Sequence, residues 1–229
     1  DSAVCLNSGN IQLNGLPNGG TWSGTNISST GLFTPSQAGT FSLVYTLGTS
    51  TCLKRDTIAI KVNPLPVISV TPSTSICIGN NISLSASGAN SYSWSPATGL
   101  NQTTGATVLA SPSTSTTYTV TGTNTITNCS ATANTSISVN PLPTVNAGAD
   151  QSLCNQPIPT TLIGTPTGGT WTGQNITTGG VFTPSGIGTF PVVYSYTNAN
   201  NCTNKDTAIV TVINPTVPDA GLDSVVCLN

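Results

Sequence analysis

The sequence predicts an all-β protein made of small sandwich domains in tandem. The segment 19–24, GGTWSG, recurs at 168–173 as GGTWTG, and the landmarks that follow both copies keep the same offset of 149 positions. A long fixed repeat indicates an array of similar units instead of one large fold. In addition, Thr, Ser, Asn, Gly and Pro dominate the chain, and this composition favours strands and turns over helices.

The individual strands follow from the alternation of apolar and polar residues. In the first unit, residues 11–13 and 41–45 alternate in this way, as half-buried strands do. Trp22 is predicted to lie in a central strand, and residues 57–62 form the predicted last strand. About seven short strands separated by frequent turns are typical of an immunoglobulin-like sandwich. The predicted fold class is therefore all-β, with tandem immunoglobulin-like β-sandwich domains in an elongated array.

Proline-containing phrases mark the predicted domain boundaries. NPLP occurs at 63–66 and again at 140–143, and the looser phrase NPTVP occurs at 214–218. Prolines remove backbone donors and keep the chain extended, so each phrase ends one sheet and leads to the next domain. The predicted domains are 1–66 (Ig-like), 67–143 (PKD-like or Ig-like) and 144–218 (Ig-like), with 219–229 as the start of a further repeat.

The end of the sequence repeats its beginning. Residues 223–229, DSVVCLN, nearly match residues 1–7, DSAVCLN, at an offset of 222 positions. A block of three domains would therefore repeat as a whole, and we expect the parent chain to be much longer.

Seven cysteines indicate disulfide bonds and an extracytoplasmic location. There is no CxxC spacing and no histidine, so a zinc site is disfavoured. The cysteines parse as three pairs with similar spacing and one remaining residue, and we expect each pair to close a bond within one domain, from the first strand to the loop before the last strand. The predicted pairs are Cys5–Cys52, Cys77–Cys129 and Cys154–Cys202, and Cys227 belongs to the following domain.

Composition argues against several functional classes. The chain has no His and no Glu, so we find no candidate catalytic residues and predict that the protein is not an enzyme. A net charge of −2 offers no basic face for nucleic acid. Calcium at Asp150, Asp219 or Asp223 is disfavoured because such sites need several carboxylates and the chain has six acidic residues in all. We predict no metal, no cofactor and no insertion into a membrane.

Each domain contains one tryptophan, and two interpretations of it are open. Trp22, Trp94 and Trp171 each follow the first cysteine of their domain by 17 positions. They could serve as stacking platforms for sugars, but their fixed spacing and apolar neighbours favour a place in the core.

The sequence motifs of the chain resemble those of the tandem Ig-like and PKD-like repeats of very large cell-surface proteins of the Bacteroidota. The most specific parts are YSWSP at 92–96 with TYTV at 117–120, and the AGADQSLC opening at 147–154. This group includes gliding-motility adhesins of the SprB type, which the type IX secretion system exports. The resemblance implies an outer-membrane-associated surface location and a filamentous or adhesive role, with neighbouring repeats as partners and motor, track, polysaccharide or substratum contacts through other regions.

The same resemblance implies O-glycosylation. The triplet Asp-Ser/Thr-apolar is similar to the sequon used in this phylum, and it places the modified residues at Ser2, Thr57, Thr207 and Ser224. A surface sugar would offset the shortage of solubilising charge.

These observations lead to one functional hypothesis and its rivals. The chain is interpreted as a structural stalk segment of a long adhesin filament, which transmits force and extends an adhesive tip. The alternatives are a carbohydrate-binding or spacer module of a secreted enzyme, and an S-layer or matrix protein. A cluster of exposed aromatic residues would favour sugar binding, and its absence would favour the stalk.

Overall fold

The computed structural model describes residues 2–49, 51–215 and 221. Within these ranges the regular structure consists of β-strands, and no helix occurs. The strands form three separate hydrophobic cores, which are centred on Trp22, Trp94 and Trp171. The predicted all-β, immunoglobulin-like sandwich class is confirmed. Among the described residues, no helix is long and apolar enough to cross a membrane.

The strands of the first domain begin at the chain start and end at the first proline phrase. They are β1 (Ser2–Cys5), β2 (Ile11–Gln12), β3 (Thr21–Ser23), β4 (Leu32–Phe33), β5 (Gly39–Thr49) and β6 (Cys52–Asn63). The main sheet has the order β1-β6-β5-β3, and β2 pairs with β4 in a small second sheet.

The middle domain has a larger second sheet. Its strands are β7 (Ser69–Val70), β8 (Thr74–Cys77), β9 (Ile82–Ser87), β10 (Ser91–Ser95), β11 (Thr107–Ala110), β12 (Thr116–Asn124) and β13 (Cys129–Asn140). The two sheets have the orders β10-β12-β13-β8 and β11-β9-β7.

The third domain repeats the architecture of the first. Its strands are β14 (Gln151–Cys154), β15 (Thr160–Thr161), β16 (Thr170–Gly173), β17 (Val181–Phe182), β18 (Gly188–Thr197) and β19 (Thr203–Ile213). The main sheet has the order β14-β19-β18-β16, and β15 pairs with β17. The sequence motifs that occur in both the first and the third domain thus form equivalent strands, such as β3 and β16.

The first strand of both Ig-like domains runs parallel to the last strand, which we call the closing strand (β6, β13 and β19 in the three domains). In the first domain Ser2 is opposite Ile60 and Cys5 is opposite Asn63. In the third domain Gln151 is opposite Val210 and Cys154 is opposite Ile213. Each first strand therefore ends where its closing strand ends, at the exit of the domain.

The closing strand of the first domain is longer than the sequence predicts. The pattern of apolar residues indicates a strand over 57–62, but β6 begins at Cys52. Its first six residues are exposed and pair with the second half of β5, from Val44 opposite Thr57 to Thr49 opposite Cys52. Backbone hydrogen bonding of a two-stranded hairpin extends the strand beyond the part that the core covers.

Alternation on the long strands builds each core. In β5 the side chains of Phe41, Leu43 and Tyr45 are buried, whereas Ser42 faces solvent. The equivalent strand β18 buries Val192 and Tyr194. The cores stay separate along the chain, although the chain divides into two compact units, Asp1–Val139 and Asn140–Asn229. The domain boundaries given above remain a prediction.

The repeated GGTW motif packs against a buried tyrosine and hydrogen-bonds to its hydroxyl. In the third domain the Tyr194 ring lies 5.0 Å from the Trp171 ring, centroid to centroid. Its hydroxyl donates to the Pro166 carbonyl and accepts from the Gly169 amide at 2.8 Å. Tyr45 makes the same two bonds, to Pro17 and from Gly20, at 2.8 Å each. Glycine is needed because a Cβ at Gly169 would lie 2.5 Å from the Ser195 carbonyl oxygen.

We predict that Gly169→Ala destabilises the third domain by about 1–3 kcal/mol, because the added methyl meets backbone that cannot yield. Hydrogen exchange of β16 and β18 as a function of urea measures this domain separately from the others. Gly179→Ala is the matched control, since the atom nearest to its Cβ is 4.0 Å away. Equal protection in the two variants would contradict the proposed role of Gly169.

Candidate functional site

The feature that sets this chain apart is a disulfide between successive domains. Cys5, the last residue of β1, is bonded to Cys129, the first residue of β13, across a sequence separation of 124 residues and with the Cα atoms 5.5 Å apart. Cys5 lies in the main sheet of the first domain and Cys129 in the β10-β12-β13-β8 sheet of the middle domain. The bond therefore links the first and middle domains covalently.

Strand pairing and a tight turn position Cys5. The Leu6 amide donates to the Asn63 carbonyl at 3.0 Å, so the chain stays on the closing strand one residue beyond the cysteine. The Ser8 hydroxyl then accepts from the Cys5 amide at 2.9 Å and donates to the Cys5 carbonyl at 2.8 Å. These bonds fix Cys5 at the exit of the first domain.

The loop between β12 and β13 positions Cys129. The Asn124 side-chain oxygen accepts from the Ile126 amide at 3.0 Å, and the Asn128 amide donates to the Asn124 carbonyl at 2.7 Å. Asn128 has φ 57°, a conformation that asparagine tolerates better than most residues. Cys129 follows it and is fully buried. The loop thus presents a buried sulfur at the entrance of the middle domain.

The third domain builds the same kind of loop. The Asn198 side-chain oxygen accepts from the Asn200 and Cys202 amides, both at 3.0 Å. Asn201 has φ 58°, and Cys202 follows it fully buried. The two loops therefore share an asparagine cap, a positive-φ asparagine and a buried cysteine.

The proline phrase before the third domain lies against this loop. The Asn198 amide group donates to the Pro141 carbonyl at 3.3 Å, and the Asn204 amide group donates to the Pro143 carbonyl at 2.9 Å. The start of the closing strand is therefore at the entrance of the domain, beside the incoming chain.

The predicted pairing within domains is wrong. In the first domain Cys5 lies at one end of the 12-residue strand β6 and Cys52 at the other. At about 3.3 Å per residue these ends are roughly 36 Å apart, far beyond the Cα separation that a disulfide spans. The same geometry separates Cys154, opposite Ile213, from Cys202, which directly precedes β19. Cys129 is bonded to Cys5 and not to Cys77.

The remaining cysteines fall into two groups. Cys77 and Cys202 are disulfide-bonded. Cys52 and Cys154 are free thiols and both are exposed. Cys227 lies outside the described residues.

The aromatic residues lie inside the domains. Trp22, Trp94 and Trp171 are 8%, 3% and 3% exposed and belong to the three cores. None of the tryptophan, tyrosine or phenylalanine side chains, all of which the structure describes, is exposed. Burial raises the pKa of Tyr118, whose hydroxyl donates to the Thr98 carbonyl at 2.7 Å. The structure therefore offers no aromatic platform at the surface.

Three of the four predicted glycosylation positions lie on exposed strand faces. Ser2 is in β1, Thr57 in β6 and Thr207 in β19, and each is exposed. Ser224 lies outside the described residues. These positions are accessible, and their modification remains a prediction.

Two of the acidic residues accept hydrogen bonds from backbone amides. Asp150 accepts from the Ile209 amide at 2.8 Å, and Asp206 accepts from the Ala147 amide at 2.9 Å. Within the described ranges, no group of three or more His, Cys, Asp or Glu could hold a metal ion. Asp219 and Asp223 lie outside those ranges.

Comparison with known proteins finds likeness only among solved structures. No family model and no curated protein matches the chain. The immunoglobulin domains 1–5 of Sidekick-1 match 93% of this chain and 57% of their own, at 14% identity and a TM-score of 0.30. The N-terminal eight Ig domains of the Down Syndrome Cell Adhesion Molecule match 92% of this chain and 35% of their own, at 12% identity and a TM-score of 0.40.

A bacterial protein is among the matches. A Ca²⁺-stabilised adhesin with which an Antarctic bacterium binds ice matches 94% of this chain and 72% of its own, at 14% identity and a TM-score of 0.37. The chain spans about half or less of the first two structures that it matches. Identities and TM-scores this low carry no information on function.

We predict that, without a reductant, a maleimide labels Cys52 and Cys154, whereas Cys5, Cys77, Cys129 and Cys202 react only after reduction. Peptide mass mapping of the denatured, alkylated protein measures each position separately. In a Cys52→Ser/Cys154→Ser variant, the four cysteines that remain among these six positions should stay unlabelled until the protein is reduced. A peptide pair that joins Cys5 to Cys52 would contradict the structure.

Proposed function

We propose that this chain is a load-bearing stalk segment of a long extracellular surface protein, whose adhesive tip lies in another part of the parent chain. The observation that supports this most directly is the bond between Cys5 and Cys129. It joins two consecutive domains covalently and independently of the proline phrase between them. Catalysis and ligand binding do not require a covalent bond between domains. A segment under tension benefits from such a bond, because the bond keeps the two domains joined.

The bond changes the path that a pulling force takes. Tension that reaches Cys5 passes through the two sulfurs to Cys129 and continues along β13. The residues between the two cysteines, which include most of both domains, then carry no load. These domains could unfold under force without lengthening the chain. Repeats of this kind would transmit movement at one end of a filament to the other with little compliance.

The surface favours this role over carbohydrate binding. Sugar-binding faces use exposed aromatic rings, and all the aromatic side chains of this chain are wholly or partly buried. The pattern of amide and hydroxyl side chains without catalytic groups fits a passive surface. A spacer of a secreted enzyme or an S-layer component remains the rival, since each would use the same kind of domain.

The location follows from the same bonds. Disulfides persist in oxidising compartments outside the cytoplasm, so we infer an extracellular protein. The resemblance to surface repeats of the Bacteroidota extends this to export by the type IX system, association with the outer membrane and a part in gliding motility. In that setting neighbouring repeats are the direct partners of this segment, and glycans at Ser2, Thr57, Thr207 and Ser224 would cover a surface with little charge.

Single-molecule pulling tests the load-bearing role. With bioorthogonal handles at residues 1 and 140 of the full chain, the oxidised protein should show almost no gain in length on unfolding between the handles. Cys5→Ser/Cys129→Ser should release a further length of about 400 Å, because the bypassed loop has a sequence separation of 124 residues.

The control variant is Cys52→Ser/Cys154→Ser, which leaves the bond intact and should behave as the unsubstituted protein does. Extension of the oxidised, unsubstituted segment by hundreds of ångströms would show that force does not pass through the bond, and the stalk proposal would fail.

A further inference from the structure

We propose that Cys154 and Cys52 are the linking cysteines to the following and the preceding domain of a continuous disulfide ladder. In this ladder, the cysteine that ends the strand beside the closing strand of one domain bonds to the closing-strand cysteine of the next domain. The inference rests on the proposed function in one respect, since it takes the chain to be a segment of a longer tandem array. The disulfide partner of Cys52, and likewise of Cys154, is a cysteine in another domain of the same type.

The direction of the strands supplies the first argument. Because β1 runs parallel to β6, Cys5 lies at the exit of its domain, and Cys129, at the start of β13, lies at the entrance of the next. These are the two ends that meet at a junction. Any two consecutive domains with the same strand directions bring the same two positions together.

Cys154 occupies the position of Cys5. It follows Cys5 at the repeat offset of 149, and it is opposite Ile213 at the end of β19 as Cys5 is opposite Asn63 at the end of β6. The residue after each cysteine donates to the closing strand, Leu6 to Asn63 at 3.0 Å and Asn155 to Ile213 at 2.8 Å. Cys154 therefore has the geometry of a bonded cysteine, yet its thiol is free and exposed.

Cys52 occupies the position of Cys129 and Cys202. All three lie at or directly before the start of a closing strand, at the entrance of their domain. Cys129 and Cys202 are disulfide-bonded and fully buried, whereas Cys52 is free and exposed. Cys77, which ends β8 beside the closing strand β13 of the middle domain, is also disulfide-bonded. Cys52 and Cys154 are therefore the two described cysteines with thiols available to a further domain.

The sequence itself indicates the partner of Cys154. Residues 223–229 repeat residues 1–7, so the domain that they begin is of the first type and would carry its own counterpart of Cys52. Bond formation removes two protons and two electrons from the two thiols. A disulfide oxidant accepts them and becomes two thiols, either oxidised glutathione in vitro or the disulfide of a dithiol oxidase outside the cytoplasm.

The test uses the full chain in tandem. Residues 1–222 are followed by a second copy, 1–229, so that the natural overlap at the offset of 222 forms the junction. Cys52→Ser in the first copy and Cys154→Ser with Cys227→Ser in the second leave one candidate pair, Cys154 of the first copy and Cys52 of the second. The protein is refolded in reduced and oxidised glutathione, and the monomer is isolated before peptide mapping.

We expect nearly all Cys154 to be found linked to Cys52 in this monomer. The matched control carries Cys154→Ser in the first copy and Cys52→Ser with Cys227→Ser in the second, which leaves the two thiols at the far ends. Both thiols should then be fully alkylated without reduction.

Two results would overturn the ladder. The first is a free Cys154 and Cys52 at the junction while Cys5 and Cys129 are bonded in both copies. The second is equal linkage in the test and control proteins, which would show unspecific oxidation. Neither result bears on whether force passes through the Cys5–Cys129 bond. The pulling experiment can therefore succeed even if the tandem-chain experiment finds no ladder.

Discussion

The parallel pairing of the first strand with the closing strand is the constraint on which the other features depend. It places Cys5 opposite Asn63 and Cys154 opposite Ile213, at the exit of each Ig-like domain. A closing strand of about 12 residues then holds its own cysteine at the far end of the sheet, at the entrance. Bonds within either Ig-like domain are excluded by distance, and bonds between consecutive domains become possible. A short strand of four residues thus converts cysteines of separate domains into a link across their junction.

The cores leave little chemistry for the surface. The buried Trp–Tyr pairs fill the interior of both Ig-like domains, and their tyrosine hydroxyls are satisfied by a proline carbonyl and a glycine amide. Asp150 and Asp206, two of the few charged groups, are bonded to backbone amides. These tyrosines and carboxylates therefore serve the fold, and the outer strand faces consist largely of small polar residues.

A covalent junction also changes what determines mechanical strength. In a simple string of sandwiches, the weakest domain sets the force at which the chain lengthens. Under the proposed load-bearing role, force passes through the sulfurs of Cys5 and Cys129, and unfolding of the residues between them does not lengthen the chain. Under the same proposal the small cores, which contain seven to nine buried residues each, do not themselves have to resist the force.

The sequence by itself determined the fold class, the three tryptophan-centred cores and the place of the proline phrases, because alternation, turn residues and proline act locally along the chain. It could not determine the partners of the cysteines. The similar spacing of Cys5–Cys52 and Cys154–Cys202 suggests pairs within domains, but spacing along the chain contains no information on whether two strands run parallel. Strand direction and register arise from contacts between distant residues, such as Cys5 with Asn63, and only the tertiary structure reveals them.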